Sequence, residues 1–201
     1  MKLILLTSPY FFVEEHQILN SLFDEGLNLL HLRKPNSEPV YNERLIKLIN
    51  ENYRKRIVIH DHFYMKDEYN LKGIHLNSNN PILPPNYKGQ LSCTCSNIDD
   101  LPKVKRNFNY VFLNNAYPSL NSKILNPIFS KVIHTEPYNN VIDKKVMALG
   151  SVSLKNIHQL RDFGFGGVVI YSDIWNRFDI HNDQDYKDLI SHFRKIKKAT
   201  E

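Results

Sequence analysis

The stretch Gly166-Gly167-Val168-Val169-Ile170-Tyr171 carries the clearest fold signal in this sequence. After two glycines it is almost continuously apolar and β-branched, and Arg56-Ile57-Val58-Ile59-His60 has the same character. Runs of this kind are typical of parallel strands that are buried on both faces. The two stretches therefore predict a parallel sheet with helices on its faces.

Outward from these two stretches, short apolar segments alternate with amphipathic ones along the whole chain. Eight of the apolar segments are candidate strands: Leu3–Leu6, Asn28–Leu32, Ile57–His60, Gly73–Leu76, Leu91–Thr94, Tyr110–Leu113, Val146–Leu149 and Gly167–Tyr171. Eight strands alternating with helical segments predict an α/β fold, a single (β/α)8 TIM-barrel domain over residues 1–201. The chain is short for this fold, so some helices should be reduced to turns. A doubly wound open sheet with fewer strands is the competing fold.

The clearest helical signal covers Ser153–Phe163. Ser153 is a good N-cap residue, and Leu154, Ile157 and Leu160 recur at helical spacing. Gly164 stands where a helix commonly ends in a left-handed residue. Between the third and fourth strands the sequence leaves room for a single helical turn, near residues 65–70.

Composition and charge exclude several classes of protein. No apolar run approaches the roughly 20 residues that a membrane-spanning helix needs, so no membrane partner and a cytoplasmic location are expected. The net charge of +5 is scattered except for Arg194–Lys198, which is better explained as the end of an exposed helix than as a nucleic-acid site. Cys93 and Cys95 are too few for a zinc site and are expected to be buried free thiols.

Polar residues cluster where the candidate strands end. Each alone has an ordinary structural explanation, but a (β/α)8 barrel gathers its functional residues at the C-terminal ends of its strands. Their convergence predicts a binding site there, built from His31, Arg33, Lys34, His60, Asp61, His62, His75, Asn80, Thr94, Ser96, Asn114, Ser119, Ser151 and Ser172.

These residue types favour the binding of anions. Arg33 and Lys34 offer hydrogen-bond donors suited to phosphate. Asp61 with Asn80 offers oxygen ligands for Mg²⁺, which is usually held by one or two carboxylates together with substrate phosphates. Backbone amides after the last two strands, around Ser151 and Ser172, form a common phosphate site in such barrels. The sequence has no P-loop, no dinucleotide-binding glycine motif, no H-E-x-x-H and no G-x-S-x-G.

Six motifs together resemble the thiamin phosphate synthase and thiazole tautomerase superfamily, in order and in spacing. They cover nearly the whole chain: Leu30-His31-Leu32-Arg33, Val58-Ile59-His60-Asp61, Gly73-Ile74-His75-Leu76, Tyr117-Pro118-Ser119, Ala148-Leu149-Gly150-Ser151 and Gly167–Ile174. The resemblance implies a synthase that joins a hydroxymethylpyrimidine diphosphate to a thiazole phosphate and releases pyrophosphate. It also implies Mg²⁺ as the cofactor and small phosphorylated molecules as partners.

By the same resemblance, Arg33 grips pyrophosphate and Asp61 is a Mg²⁺ ligand, with Asn80 at the position of the second carboxylate of the family. The remaining residues implied to bind substrate are His31, His60, His75, Thr94, Ser119, Lys123, Ser151, Ser172 and Ile174. Ser119, Ser151 and Ser172 match the side that binds the thiazole phosphate, and Lys123 matches a family lysine only if the register slips by one residue.

The chain also departs from the synthase pattern. Asn80 replaces a carboxylate, Pro35 replaces a lysine, and His31 and His60 replace two amides. A thiazole tautomerase-like isomerase, whose reaction needs no metal, is one alternative, although its catalytic histidine aligns with Ser96. A non-catalytic barrel that binds a phosphorylated ligand is another. The sequence leaves open whether the chain forms a homo-oligomer.

Overall fold

The eight predicted strands form a closed parallel barrel. The structure is a computed structural model that describes residues 1–114, 141–179 and 185–201. In chain order the strands are β1 Lys2–Leu6, β2 Leu29–Leu32, β3 Ile57–Ile59, β4 Gly73–Leu76, β5 Gln90–Cys95, β6 Tyr110–Leu113, β7 Val146–Ala148 and β8 Gly167–Ile170.

Barrel closure rests on the pairing of the first strand with the last. Leu5 of β1 pairs with Leu30 on one side and with Ile170 of β8 on the other, and every neighbouring pair of strands is parallel. The chain is therefore a (β/α)8 TIM barrel, as predicted, and the competing open sheet is wrong because an open sheet has two unpaired edges.

Several of the intervening helices are only one turn long, as the length of the chain led us to expect. The helices of the described residues are α1 Glu15–Asp24, α2 Pro39–Leu48, α3 Glu51–Arg54, α4 Met65–Glu68, α5 Leu101–Val104, α6 Ile157–Asp162, α7 Ser172–Trp175 and α8 Lys187–Thr200, with a 3₁₀ turn at Ile98–Asp100. The single turn predicted near residues 65–70 is α4.

The helix predicted from Ser153 begins four residues later, at Ile157. Residues 153–156 form a separate turn instead, in which the N–H of Asn156 donates to the carbonyl of Ser153. The Asn156 side chain braces this turn, since its Oδ1 accepts a hydrogen bond from the backbone N–H of Ser153 and its Nδ2 donates to the carbonyl of Ser151. These bonds hold residues 151–156 as a turn that faces the end of the barrel. The helix ends as predicted, with Gly164 in the left-handed region at φ +84°.

The core has two layers, because successive side chains of a strand point to opposite faces. The larger layer lies between the strands and the helices, and a smaller apolar cluster fills the barrel interior: Ile4, Leu29, Val58, Tyr110, Phe112, Met147 and Val169. His31 and His60 stand two residues after Leu29 and Val58, so they share the inward face of β2 and of the segment that ends β3. Imidazoles therefore line the end of the barrel where functional residues are expected.

Cys93 and Cys95 are buried free thiols, as expected. The basic residues Arg194–Lys198 lie within α8, where Arg194 forms an ion pair with Glu25. None of the helices within the described ranges is long and apolar enough to cross a membrane.

Candidate active site at the barrel mouth

A cavity of about 390 Å³ opens at the C-terminal ends of the strands. We call it the mouth cavity. Strands β1 to β7, or the loops that follow them, each contribute to its wall, as the sequence predicted for the polar strand ends. Its lining residues are Leu6, Arg33, His60, Asn77, Ser78, Thr94, Ser96, Phe112, Asn114 and Leu149.

Asp61 and Asn80, predicted as a pair from the sequence, are in contact beside this cavity. Asn80 Nδ2 donates a hydrogen bond to Asp61 Oδ1 at 2.5 Å and a second to the carbonyl of His60 at 3.2 Å. Partial burial raises the pKa of the Asp61 carboxyl, and the charges of His62 and Arg33 oppose that rise. The Arg33 charge therefore acts on Asp61 across the same end of the barrel.

Arg33 is exposed at the wall of the mouth cavity, and Thr7 holds its backbone in place. The N–H of Arg33 donates to Thr7 Oγ1 at 3.0 Å, and the Thr7 hydroxyl donates to the carbonyl of Arg33 at 2.9 Å. Thr7 is buried just beyond β1. Sequence reasoning missed this threonine, because nothing in its local pattern distinguishes it from other residues at strand ends.

Lys34 does not serve the site, which corrects the expectation that it offers donors to phosphate. Its side chain is buried, and Nζ donates to both carboxylate oxygens of Glu15 at 2.6 and 2.7 Å and to the carbonyl of Tyr10 at 2.7 Å. The cause is alternation, since neighbouring residues in extended backbone point to opposite sides. Arg33 faces the cavity, and Lys34 ties α1 and the loop before it to the end of β2.

Three imidazoles, His31, His60 and His75, form what we call the histidine cluster in the wall and floor of the cavity. His31 Nδ1 lies 2.9 Å from His60 Nε2, and the rings of His60 and His75 stack with centroids 4.2 Å apart. His75 Nε2 lies 2.8 Å from Thr94 Oγ1. His60 and Thr94 line the cavity, so the structure brings both to the predicted site.

His31 and His75 are completely buried beneath the cavity surface. This corrects the expectation that they touch substrate directly, because a side chain without exposed surface cannot contact a ligand in the cavity. Burial lowers the pKa of His31 and of His60 well below the ordinary range and lowers the pKa of His75 to about 3. The cluster is therefore uncharged at neutral pH and adds no positive charge to the mouth of the barrel.

A second pocket, of about 630 Å³, lies between the loops that follow β7 and β8. We call it the serine pocket, because Ser151 and Ser172 both line it and are exposed, as predicted. Gly150 and Ser151 both have positive φ, so the loop after β7 turns sharply there. Lys155 and Arg177 add two cations that sequence reasoning missed, since exposed basic residues are common on any surface.

Comparison with solved structures identifies the family. A thiamine phosphate pyrophosphorylase from Bacteroides thetaiotaomicron is 45% identical in sequence, with 99% of this chain and 97% of that chain covered and a TM-score of 0.90. This chain belongs to the thiamine phosphate pyrophosphorylase family. No protein-family model and no curated protein matches the sequence.

More distant structures share the barrel fold of this chain. A thiamine phosphate pyrophosphorylase from Pyrococcus furiosus is 12% identical, with a TM-score of 0.72 and coverage of 99% of this chain and 95% of that chain. A 3-hexulose-6-phosphate synthase from Salmonella typhimurium is 15% identical, with a TM-score of 0.64 and coverage of 100% and 98%. At such low identity, both likenesses bear on the barrel alone.

The family resemblance also implies that Ile174, Ser119 and Lys123 bind substrate, and the structure describes Ile174 among these three. The side chain of Ile174 has no exposed surface and packs in the core, and its backbone N–H donates to the carbonyl of Tyr171. The expectation of a substrate contact fails there, because α7 turns this side chain toward the helix layer. Ser119 and Lys123 lie outside the described residues.

Proposed function

We propose that this protein joins a hydroxymethylpyrimidine diphosphate to a thiazole phosphate and releases pyrophosphate, as a thiamine phosphate synthase does. Membership of the thiamine phosphate pyrophosphorylase family supports an enzyme of this kind. The observation that carries the proposal is the arrangement of Arg33, Asp61 and Asn80 at one end of the barrel. The Arg33 guanidinium lines the mouth cavity, and the Asp61 carboxylate, held by Asn80, directly follows His60 in the cavity wall.

The main role of the protein in this reaction is to position two substrates. The alcohol oxygen of the thiazole phosphate forms a bond to the methylene carbon of the pyrimidine, the bond from that carbon to the diphosphate oxygen breaks, and the alcohol loses its proton. Arg33 presents donors in a fork that matches phosphate oxygens, so it holds the diphosphate and stabilises the charge that builds up as it leaves. Thr7 keeps Arg33 in place for that task.

The residues beside Arg33 fit Mg²⁺ as the cofactor. Asp61 is a half-buried carboxylate at the cavity edge, and one carboxylate with substrate phosphates is an ordinary ligand set for this ion. When bound, Mg²⁺ would offset the negative charge of the departing pyrophosphate. Asn80 orients Asp61 through its amide and brings no second negative charge, so we infer weaker magnesium binding than two carboxylates would give.

The serine pocket supplies a place for the thiazole phosphate. Loops after the seventh and eighth strands of such barrels commonly bind phosphate through backbone N–H groups. Here Ser151 and Ser172 add hydroxyl groups and Lys155 adds positive charge, while Arg177 is paired with Asp173, which also lines the pocket. The proposed partners of the protein are accordingly small phosphorylated molecules.

A tautomerase-like reaction is the second candidate, and the residues of the mouth cavity support it less well. Ser96 lines the mouth cavity where that branch has a histidine, and a hydroxyl is a poor general acid or base at neutral pH. A barrel that binds phosphorylated ligands without turning them over is the third candidate. Such a binding barrel would use both the mouth cavity and the serine pocket.

Pyrophosphate release separates the three candidates. Purified protein with both substrates and Mg²⁺ should release pyrophosphate in proportion to thiamine phosphate formed, and little when the thiazole phosphate is left out. Arg33→Ala should abolish release, whereas Arg106→Ala, which removes an exposed arginine beyond α5, should not. If wild-type protein releases none, the synthase proposal is wrong. Thiazole phosphate binding by calorimetry without turnover would then favour the binding barrel.

A further inference from the structure

The histidine cluster brings together three imidazoles that have no role in the proposed reaction. One ring nitrogen from each of His31, His60 and His75 lies within 4.8 Å of one from each of the others. In a tetrahedral zinc site, bonds of about 2.0–2.1 Å place nitrogen ligands roughly 3.4 Å apart. His31 Nδ1 and His60 Nε2, at 2.9 Å, already lie closer than that.

The outer nitrogens of two of these rings have hydroxyl partners of their own. His31 Nε2 lies 2.7 Å from the Tyr110 hydroxyl, and His75 Nδ1 lies 2.9 Å from Ser92 Oγ. Metal-binding histidines almost always use one nitrogen for the ion and give the N–H of the other to such a partner, which fixes the ring and its tautomer. The other nitrogens of the two rings remain for an ion: His31 Nδ1, which faces His60 Nε2 at 2.9 Å, and His75 Nε2, which faces the Thr94 hydroxyl at 2.8 Å.

As a network of protein groups alone, the cluster is incomplete. His60 Nδ1 is buried and has no hydrogen-bond partner among the described residues. Nearly all buried polar atoms are satisfied, so this exception points to a partner of His60 Nδ1 from outside the protein, such as a water molecule or an ion.

The chemistry of the donors selects the class of ion. Neutral imidazole suits Zn²⁺, Co²⁺, Ni²⁺ and Cu²⁺, whereas Mg²⁺ prefers carboxylate, carbonyl and water oxygens. The cluster contains no carboxylate, and Asp61 is not part of it. We propose that His31, His60 and His75 form a binding site for one divalent transition-metal ion of the Zn²⁺ or Co²⁺ type, separate from the magnesium site proposed at Asp61.

The site has one open side. His60 and Thr94 line the mouth cavity, and Thr94 Oγ1 lies next to His75 Nε2. Three protein nitrogens leave a tetrahedral ion with a fourth position, which the Thr94 hydroxyl or a small ligand from the cavity fills. Three protein ligands with one open position are typical of catalytic zinc sites and distinguish them from closed structural ones.

Cobalt titration tests the proposal directly. Full-length protein is freed of metal with a chelator and titrated with Co²⁺, whose tetrahedral complexes absorb strongly in the visible range. We expect one equivalent to bind with that spectrum, Zn²⁺ to displace it, and excess Mg²⁺ to leave it bound. His31→Gln and His75→Asn should each weaken binding at least about 100-fold, since even changes to second-shell partners cost 10–100-fold. Tyr110→Phe should weaken it by the smaller, second-shell amount.

Two control variants test whether Co²⁺ binds specifically at the histidine cluster. His158→Ala removes an exposed imidazole on α6 and should not change Co²⁺ binding. Asp61→Asn should also leave it unchanged, which separates this site from the magnesium site and makes the outcome independent of synthase activity. Absence of a stoichiometric Co²⁺ complex in wild-type protein overturns the proposal. So does a complex that survives His31→Gln and His75→Asn in folded protein, or one that Mg²⁺ displaces.

Discussion

Asn80 donates a hydrogen bond to Asp61 at 2.5 Å, at the position where the synthase pattern has a second carboxylate. The amide holds the Asp61 carboxylate in one orientation while it brings no charge of its own. This single replacement distinguishes the proposed magnesium site from one with two carboxylates. It therefore offers a direct way to measure what the second charge contributes.

Asn80→Asp should tighten magnesium binding. Ligand charge tunes affinity for hard divalent cations, and we expect the Mg²⁺ concentration that gives half-maximal pyrophosphate release to fall roughly 10-fold. Asn52→Asp on α3 adds the same charge to an exposed position away from the cavity and should change nothing. An unchanged Mg²⁺ dependence in Asn80→Asp would argue against Asp61 as the ligand.

The buried pair of Lys34 and Glu15 makes a prediction about stability. Lys34→Met leaves the Glu15 carboxylate buried without its cation, and breaking a buried pair in this way costs about 3–5 kcal/mol of unfolding free energy. The double variant Glu15→Leu with Lys34→Met should recover most of that loss, because matched apolar side chains often replace a buried pair without cost. Urea denaturation at pH 8 measures both. Equal losses of unfolding free energy in the single and double variants would contradict the assignment of Lys34 and Glu15 as a buried ion pair.

The same pair predicts a dependence of stability on pH. Burial raises the pKa of Glu15 from 4.5 to about 7 in the folded protein, against the opposing effect of Lys34. The folded state therefore holds a proton that the unfolded state has lost, and the stability contributed by this group is present below pH 4.5 and lost as the pH rises through 7. At about 1.4 kcal/mol per pKa unit, the loss is roughly 3 kcal/mol at most.

Comparison with Glu15→Gln isolates this effect, since glutamine cannot titrate. As the pH rises from 4.5 to 7, the unfolding free energy of the wild type should fall relative to that of Glu15→Gln. Denaturation at several pH values measures this difference. A difference that stays constant over that range would mean that Glu15 keeps an ordinary pKa.

The fold could be predicted from the sequence because strand burial leaves a local signature. Gly73–Leu76 and Tyr110–Leu113 are strands with the bounds predicted, and Tyr110–Leu113 is a continuous apolar run between two asparagines. The start of α6 was wrong because residues 153–156 form a separate turn, in which the N–H of Asn156 donates to the carbonyl of Ser153. That turn depends on the three-dimensional path of the loop after β7, which the helical spacing of Leu154, Ile157 and Leu160 does not reveal.

The position of the candidate site follows from the fold, whereas its contacts do not. Arg33, Asp61 and Asn80 lie at the same end of the barrel because strand ends are gathered there in every such barrel. Whether a strand-end residue faces the cavity or the layer beneath it depends on the register of each strand, and no local signal fixed this for Lys34 or His75. Both turned out to be buried.

Thr7 is expected to position Arg33 for the diphosphate. Thr7→Val keeps the shape of the side chain but removes both hydrogen bonds to the Arg33 backbone, and an unsatisfied buried group costs about 1–3 kcal/mol. We expect the KM for the pyrimidine diphosphate to rise, with less effect on the KM for the thiazole phosphate. Thr200→Val, a change of similar burial at the end of α8, should lower stability without changing either KM. Equal KM changes for both substrates in Thr7→Val would indicate a general structural defect.

Lys155 tests the serine pocket as the site of the thiazole phosphate. Its exposed ammonium lies at the rim of the pocket, and Lys155→Ala should raise the KM for the thiazole phosphate about fivefold, a change of roughly 1 kcal/mol, as expected for an exposed charge pair. The increase should shrink at high salt, because exposed charges are screened there. Lys195→Ala, which removes an exposed lysine that does not line the pocket, should leave both KM values unchanged. If Lys155→Ala instead raised only the KM for the pyrimidine diphosphate, the two phosphate groups would have to exchange places between the serine pocket and the mouth cavity.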